Sequence, residues 1–380
     1  MKILVINLMH IGDLLLVTPV LTTLRKNFPT AHLALLADKK IGDLVRLNKN
    51  LDECILIDKK GVDDSFFRLV RIILELRAKK FDLVINLHRN ERASALAAFS
   101  GAKKIVGYSK PGFSLLFDKV MPNLKAVKHQ IHSHFDVLRE ACGVKEIYDN
   151  GLEMWISDDD AKSAEKIFRD NFGDMKVVAF NIGASWLTKR WLDSYFAECA
   201  DMLIERGYGV AFLGGSMDKK IVAGCVAKMR NSDSNRLKIF TGEFSLAIVA
   251  GFLDNCALFL TTDSGPMHIG VTRNIPIVTM FGASPVPGFY PYDAKDVLVK
   301  TPEACHPCGK HVCPKTGEDN LACMKNIPVA VVMKYVFELL NVYYEQPAKK
   351  LQRVFGAYEC RVIDLAKVAD GGGDKRGGGD

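Results

Sequence analysis

The stretch Ala257-Leu258-Phe259-Leu260-Thr261-Thr262-Asp263-Ser264-Gly265-Pro266-Met267-His268 reads as a buried strand running into a helix. Ala257 to Leu260 is apolar throughout, as a strand inside a sheet is. Pro266 suits the first helical turn, where its missing N–H costs nothing. Between strand and helix lie hydroxyls, a carboxylate and a glycine amide, where unpaired backbone N–H groups and the helix dipole favour an anion. A phosphate or pyrophosphate fits that chemistry. The plainer alternative is that Asp263 or Ser264 caps the helix.

Working outward, the same strand-then-helix alternation covers most of the chain. Ile3 to Leu8, His32 to Ala37, Cys54 to Ile57 and Leu83 to Leu87 read as strands; Leu14 to Asn27 and Phe66 to Lys80 read as helices. The pattern restarts with strands at Val177 to Asn181, Val210 to Gly214, Lys238 to Phe240 and Ile277 to Met280, and helices at Trp191 to Arg206, Ser216 to Arg230 and Leu246 to Asp254. Such alternation predicts an α/β fold of two doubly wound halves facing each other across a cleft, with ligands beyond the carboxyl ends of the strands. The boundary is expected inside the polar segment Ser157 to Asp174, giving domains over 1–165 and 166–345. Residues 346–380 form an extension, of which Asp370 to Asp380 is Gly-, Asp- and Lys-rich and predicted to be disordered.

At 380 residues, 48% hydrophobic and 25% charged, the chain has the composition of a globular protein with two cores. A net charge of +7 without any dense Lys/Arg block fits anionic substrates or an acidic membrane surface rather than nucleic acid. The start does not read as a signal peptide and no apolar run has transmembrane length. Ten cysteines in that context suggest reduced thiols.

Four further segments carry chemistry. His10-Ile11-Gly12-Asp13 follows the first strand; Gly12 suits a sharp turn, and Asp13 is either a helix cap or a carboxylate able to take a proton. Asn181 to Trp191 follows the strand that restarts the pattern. Its small residues and Ser185 leave room for phosphate oxygens, and Lys189 and Arg190 supply cations; otherwise the two are a solvated helix start. Phe212-Leu213-Gly214-Gly215-Ser216 is a strand entering a glycine turn, with Asp218 either near ribose hydroxyls or at a helix N-terminus; it lacks the dinucleotide fingerprint. Cys305-His306-Pro307-Cys308, Cys313 and Cys323 have a spacing compatible with zinc or iron, but the second half forms no Cys-x-x-Cys knuckle.

In their order and separation these pieces resemble glycosyltransferase family 9, the bacterial lipopolysaccharide heptosyltransferases. The match runs from Met1–Ile6, Ile11-Gly12-Asp13, Thr18-Pro19 and Leu24-Arg25 through Gly183, Lys189-Arg190-Trp191 and Thr241-Gly242 to Asp263–His268 and Phe281-Gly282, over residues 1 to 340. The resemblance implies a GT-B fold of two Rossmann-like domains, an N-terminal acceptor domain and a C-terminal donor domain for ADP-L-glycero-β-D-manno-heptose. Transfer would be inverting and independent of a metal or other cofactor. Asp13 would be the general base and Lys189 would neutralise the leaving ADP, with Ser185 as a further phosphate contact. Asp263 would hold the heptose; Ser264, Gly265, Pro266 and His268 would form the diphosphate side. Phe244 would lie beside adenine, and Asp218 is the nearest carboxylate for the ribose, where the family's Glu is not obvious.

The implied acceptor is the lipid A–core oligosaccharide, which places the enzyme in the cytoplasm with peripheral contact to the inner membrane and no nucleic acid partner. Arg89, Arg92, Lys103, Lys104 and Lys110 offer a basic surface for its phosphates, and closure of the two domains on the donor is expected. Alternatives are a family 9 transferase for another sugar or a protein acceptor, or a nucleotide-binding protein with a degenerate site.

Overall fold

Strands apolar along their whole length need helices on both faces, and each half of this chain satisfies that with a parallel sheet. The computed structural model describes residues 1–343 and 346–366. They fall into two units, Met1–Trp155 and Ile156 onward.

The first unit contains β1 (Lys2–Ile6), α1 (Ile11–Leu15), α2 (Thr18–Asn27), β2 (His32–Asp38), β3 (Glu53–Ile57), α3 (Phe66–Lys79), β4 (Leu83–Asn86), α4 (Glu91–Ala98), β5 (Lys104–Gly107), β6 (Lys119–Val120) and α5 (Gln130–Cys142). Its sheet order is β3-β2-β1-β4-β5-β6, every pairing parallel. This is the Rossmann path, reversing direction between β1 and β4. Alternate strand residues serve opposite faces: Leu4, Ile6 and Val84 pack with Ile72 and Leu76 of α3 and Leu96 of α4.

The helix expected over Leu14 to Asn27 is broken into α1 and α2. Pro19 has no N–H to give the Leu15 carbonyl, and the Thr18 hydroxyl takes that carbonyl instead at 2.7 Å.

The second unit contains α6 (Asp158–Phe172), β7 (Val177–Asn181), α7 (Asp193–Glu205), β8 (Gly209–Phe212), α8 (Lys219–Val226), β9 (Leu237–Ile239), α9 (Leu246–Leu253), β10 (Leu258–Thr262), α10 (Gly265–Thr272), β11 (Ile277–Phe281), α11 (Val286–Phe289), β12 (Val297–Lys300), α12 (Ala322–Lys325), α13 (Val329–Val342) and β13 (Arg361–Asp364). Read from one edge, the sheet runs β9-β8-β7-β10-β11-β12-β13, again all parallel. The path is that of the first unit with one more strand.

Two boundaries differ from the sequence reading. The units divide before α6, not inside it, because Phe168 and Phe172 of α6 build an aromatic cluster with Phe240 and Phe252 of the second unit. Part of the expected extension is an integral edge strand, β13, paired with β12 from Val297↔Arg361 to Lys300↔Asp364. The segment expected to be disordered, Asp370 to Asp380, lies outside the described residues.

Candidate functional site

In the second unit the strand order reverses between β7 and β10, so the loops after these two strands meet at the sheet's carboxyl edge. They are hydrogen-bonded together. The Asn181 amide donates to the Ser264 hydroxyl at 2.9 Å and to the Gly183 carbonyl at 3.2 Å, and the Thr262 hydroxyl donates to the same carbonyl at 2.7 Å. Ser264 occupies the N-cap position of α10, but its hydroxyl accepts nothing from the helix amides. The cap reading of Ser264 is therefore wrong: Asn181 has claimed that oxygen. The helix begins at Gly265 with Pro266 in its first turn, and no side chain caps it.

Lys189 reaches this loop. Its ammonium lies 3.1 Å from Asp263 Oδ2, outside hydrogen-bond geometry, with the two side chains 19% and 4% exposed. It also stands 4.8 Å above the Trp186 ring, which stacks on His311 at 4.1 Å. Leu187 N–H donates to the His311 carbonyl at 3.0 Å, and the Thr188 hydroxyl to that of Lys310. The cysteine-bearing segment thus braces the loop that carries Lys189. Among the described residues no group of three or more His, Cys, Asp or Glu side chains is placed to hold a metal ion.

Lys189 and Arg190 do not open a helix, since α7 starts only at Asp193 and Lys189 ends a single 3-10 turn. Arg190 folds its Nε–H back onto the Ala184 carbonyl at 2.7 Å, whereas the Lys189 ammonium reaches Asp263. Ser185 is exposed on the same loop. His268 is buried, and desolvation, then Lys189, pushes its pKa down to about 3. Any contact it makes near neutral pH is that of a neutral imidazole. Asp263 Oδ2, His268 Nδ1 and Thr241 Oγ1 are buried with no hydrogen-bond partner, and buried polar atoms ordinarily have one.

Asp218 and Phe244 sit along the same edge, beyond β8 and β9. Asp218 accepts from the Gly215 amide at 2.9 Å. A Cβ on Gly183 would lie 2.0 Å from Asp218 Oδ1, so only glycine there lets this carboxylate lie over the end of β7. Phe244 stacks on Phe240 at 4.8 Å, its plane fixed by the aromatic cluster below.

In the first unit the corresponding reversal is between β1 and β4. Asp13 is the third residue of α1, half-buried; the N-cap position belongs to His10, so Asp13 is no cap. Gly12 lies inside α1 and not in a sharp turn. Asn7 holds the loop through its Oδ1, which accepts from Met9 N–H at 3.0 Å. Lys59 was missed in the sequence: it donates to the Leu8 and Met9 carbonyls and pairs with Asp38 at 3.0 Å. Its position just past β3 was the available signal. His88, just past β4, is pushed to a pKa of about 4 by desolvation, then by Lys59 and His10.

The expected basic surface is not one surface. Lys103 and Lys104 lie at the amino end of β5, whereas Arg89 and Lys110 follow the carboxyl ends of β4 and β5. Arg92 is committed to the Lys59 carbonyl at 2.7 Å and to Asp64.

Residues 69–317 match the family described as glycosyltransferase family 9 (heptosyltransferase). Lipopolysaccharide heptosyltransferase 3 of Escherichia coli strain K12 is 26% identical over 282 residues, 72% of this chain and 80% of the relative. A solved family 9 glycosyl transferase from Veillonella parvula is 33% identical with a TM-score of 0.81, covering 90% of this chain and 97% of that one. The structure of E. coli ADP-heptose LPS heptosyltransferase II, 20% identical, aligns with a TM-score of 0.74 over 90% of this chain and 100% of that chain, which shows a shared fold.

Proposed function

The chain belongs to glycosyltransferase family 9, the heptosyltransferases, is a glycosyltransferase and has the GT-B fold; from that premise we propose that it transfers heptose from ADP-L-glycero-β-D-manno-heptose to the inner core of lipopolysaccharide, with inversion and without a metal. The observation that carries this reading is the start of α10, where a helix with no side-chain cap stands beside the Lys189 ammonium. Backbone amides, helix dipole and cation together suit a diphosphate.

In this mechanism an acceptor hydroxyl oxygen attacks the anomeric carbon from the face opposite the diphosphate. The bond from that carbon to the phosphate oxygen breaks, and ADP leaves with the electron pair. Asp13 takes the hydroxyl proton. Lys189 moves from Asp263 to the diphosphate and compensates its developing charge. Asp263 then accepts hydrogen bonds from heptose hydroxyls, a role that suits a carboxylate better than a place beside phosphate. Ser185, Ser264, Gly265 and the neutral His268 complete the diphosphate contacts, with Pro266 shaping the turn. The remaining Asp218 oxygen meets the ribose and Phe244 the adenine. Because lipid A anchors the acceptor, the enzyme works in the cytoplasm at the inner-membrane surface; no helix among the described residues is long and apolar enough to cross a membrane.

Incubation with ADP-heptose and a panel of truncated core acceptors, read by mass spectrometry, tests this. The expected result is one added heptose on a core acceptor. ADP binding with no transfer to any acceptor would instead mark a degenerate site, and transfer only to protein would move the acceptor class.

A further inference from the structure

Helix α3 has two apolar faces, and the sheet uses only one. At about 100° per residue, Leu69, Ile72, Ile73 and Leu76 form one sector. That sector packs on the core of the first unit. Phe66, Phe67, Val70 and Leu74 span a second sector of roughly 100°. This one faces solvent, with Phe66 72%, Phe67 84% and Leu74 60% exposed. Val62, in the turn before the helix, is exposed beside them in sequence. Single exposed apolar residues are ordinary; a continuous stripe with two phenylalanines marks an interaction surface.

The charge around the stripe indicates what covers it. Residues 60–80 carry six Lys or Arg against three Asp or Glu. Among the described residues, Arg68 and Arg77 are exposed and form no ion pair. Arg77 falls within the angular sector of the stripe, one turn past Leu74. Its side-chain stem passes Gly101, where a Cβ would lie 3.2 Å away. Close by in the chain, Phe99 is exposed and its ring meets Phe113 at 6.2 Å, and Leu115 and Leu116 are exposed on the 3-10 turn Pro111–Leu116. α3, α4 and this turn all pack against the same core cluster, so these apolar side chains share one layer of the unit.

An apolar stripe that runs into Arg77, with Arg71 along its flank, is the pattern of a helix lying in a membrane interface: rings enter the acyl boundary while arginines meet headgroup phosphates. We propose that the outward stripe of α3 is the surface by which this protein docks on a membrane rich in anionic phospholipid. The purpose of that docking rests on the lipid-anchored acceptor proposed above; the surface itself is argued from α3 and the exposed side chains beside it.

Co-sedimentation of the full chain with vesicles of phosphatidylethanolamine and phosphatidylglycerol, against vesicles of phosphatidylcholine, tests it. Binding is expected to favour the anionic vesicles and to fall about tenfold or more in Phe66→Ser/Phe67→Ser, given the apolar area lost. Arg71→Gln/Arg77→Gln or raised salt should weaken it several-fold. Leu74→Ser, at the far end of the stripe, gives a second reading with its own melting curve. Failure of the unaltered chain to bind anionic vesicles overturns the proposal. So does undiminished binding by a folded Phe66→Ser/Phe67→Ser chain, or a dimer that this variant dissociates in the absence of vesicle binding. Transfer to a lipid-free core acceptor, measured in parallel, separates the two readings. Transfer without vesicle binding sinks the docking surface and leaves the function. Vesicle binding without transfer to any acceptor supports the surface and sinks the function.

Discussion

The two units run the same strand path, β3-β2-β1-β4 in the first and β9-β8-β7-β10 in the second, so each offers a crevice where the order reverses. What lines the crevices differs. In the second unit an uncapped helix, a Lys189 ammonium and three buried polar atoms without partners gather at one edge. In the first, α1 is only five residues long, and the nearby cation Lys59 is already held by two loop carbonyls and Asp38. His88 stays neutral there, its pKa pushed to about 4. One edge is equipped for an anion, and the other presents the carboxylate of Asp13. A shared topology fixes where ligands bind; the side chains decide which partner of a reaction each edge serves.

The sharpest break in this comparison comes from removing each edge's key group. Asp13→Asn should lower transfer by about 10²–10⁴-fold, the range for a lost general base. ADP affinity by calorimetry should stay unchanged, since the proposed mechanism places the donor at the other edge. Lys189→Met should lower turnover by roughly 10²–10³-fold through lost charge stabilisation. It should weaken ADP binding as well, and full ADP affinity in this variant would remove the diphosphate role.

Acid should then separate the units by stability. His88 and His134 in the first unit have pKa values of about 4 and about 3; in the second, His268 is at about 3 and desolvation holds His306 below its ordinary value, so the carboxylates decide between the units. A buried neutral histidine binds its proton more weakly when folded, so stability is lost as pH falls from the ordinary value of 6.5 towards the folded one. Asp52 and Glu53, held below the usual carboxylate range by their hydrogen bonds and ion pairs despite opposing desolvation, add to the loss in the first unit at lower pH. Hydrogen exchange by mass spectrometry between pH 7 and 4 should show the first unit opening earlier. Simultaneous opening would contradict this.

The smallest effects distinguish a cap from a ligand. Ser157 accepts from Asp160 N–H at 3.0 Å and caps α6, so Ser157→Ala should cost about 1 kcal/mol in denaturant unfolding. Ser264→Ala removes no cap bond; its larger effect should be on ADP affinity.

Much of the fold was legible because local chemistry sets it. Val177–Asn181 is a strand with the expected bounds, and the helix read over Phe66 to Lys80 ends one residue earlier, at Lys79. Apolar runs and helical spacing report which face each residue turns to, and they report it locally. The strand-to-helix turn at 257–268 was equally visible, together with Lys189 and Asp13 as residues of chemical interest. The sequence could not show that Asn181 would take the Ser264 hydroxyl across a separation of 83 residues, that Lys189 would stand against Asp263, or that Lys59 would hold the loop ahead of Asp13. Nor did it show that Arg361–Asp364 would extend the second sheet. Those pairings follow from strand order and register, which bring distant loop ends to one edge and thereby decide which polar groups are used up in the structure and which remain for a substrate.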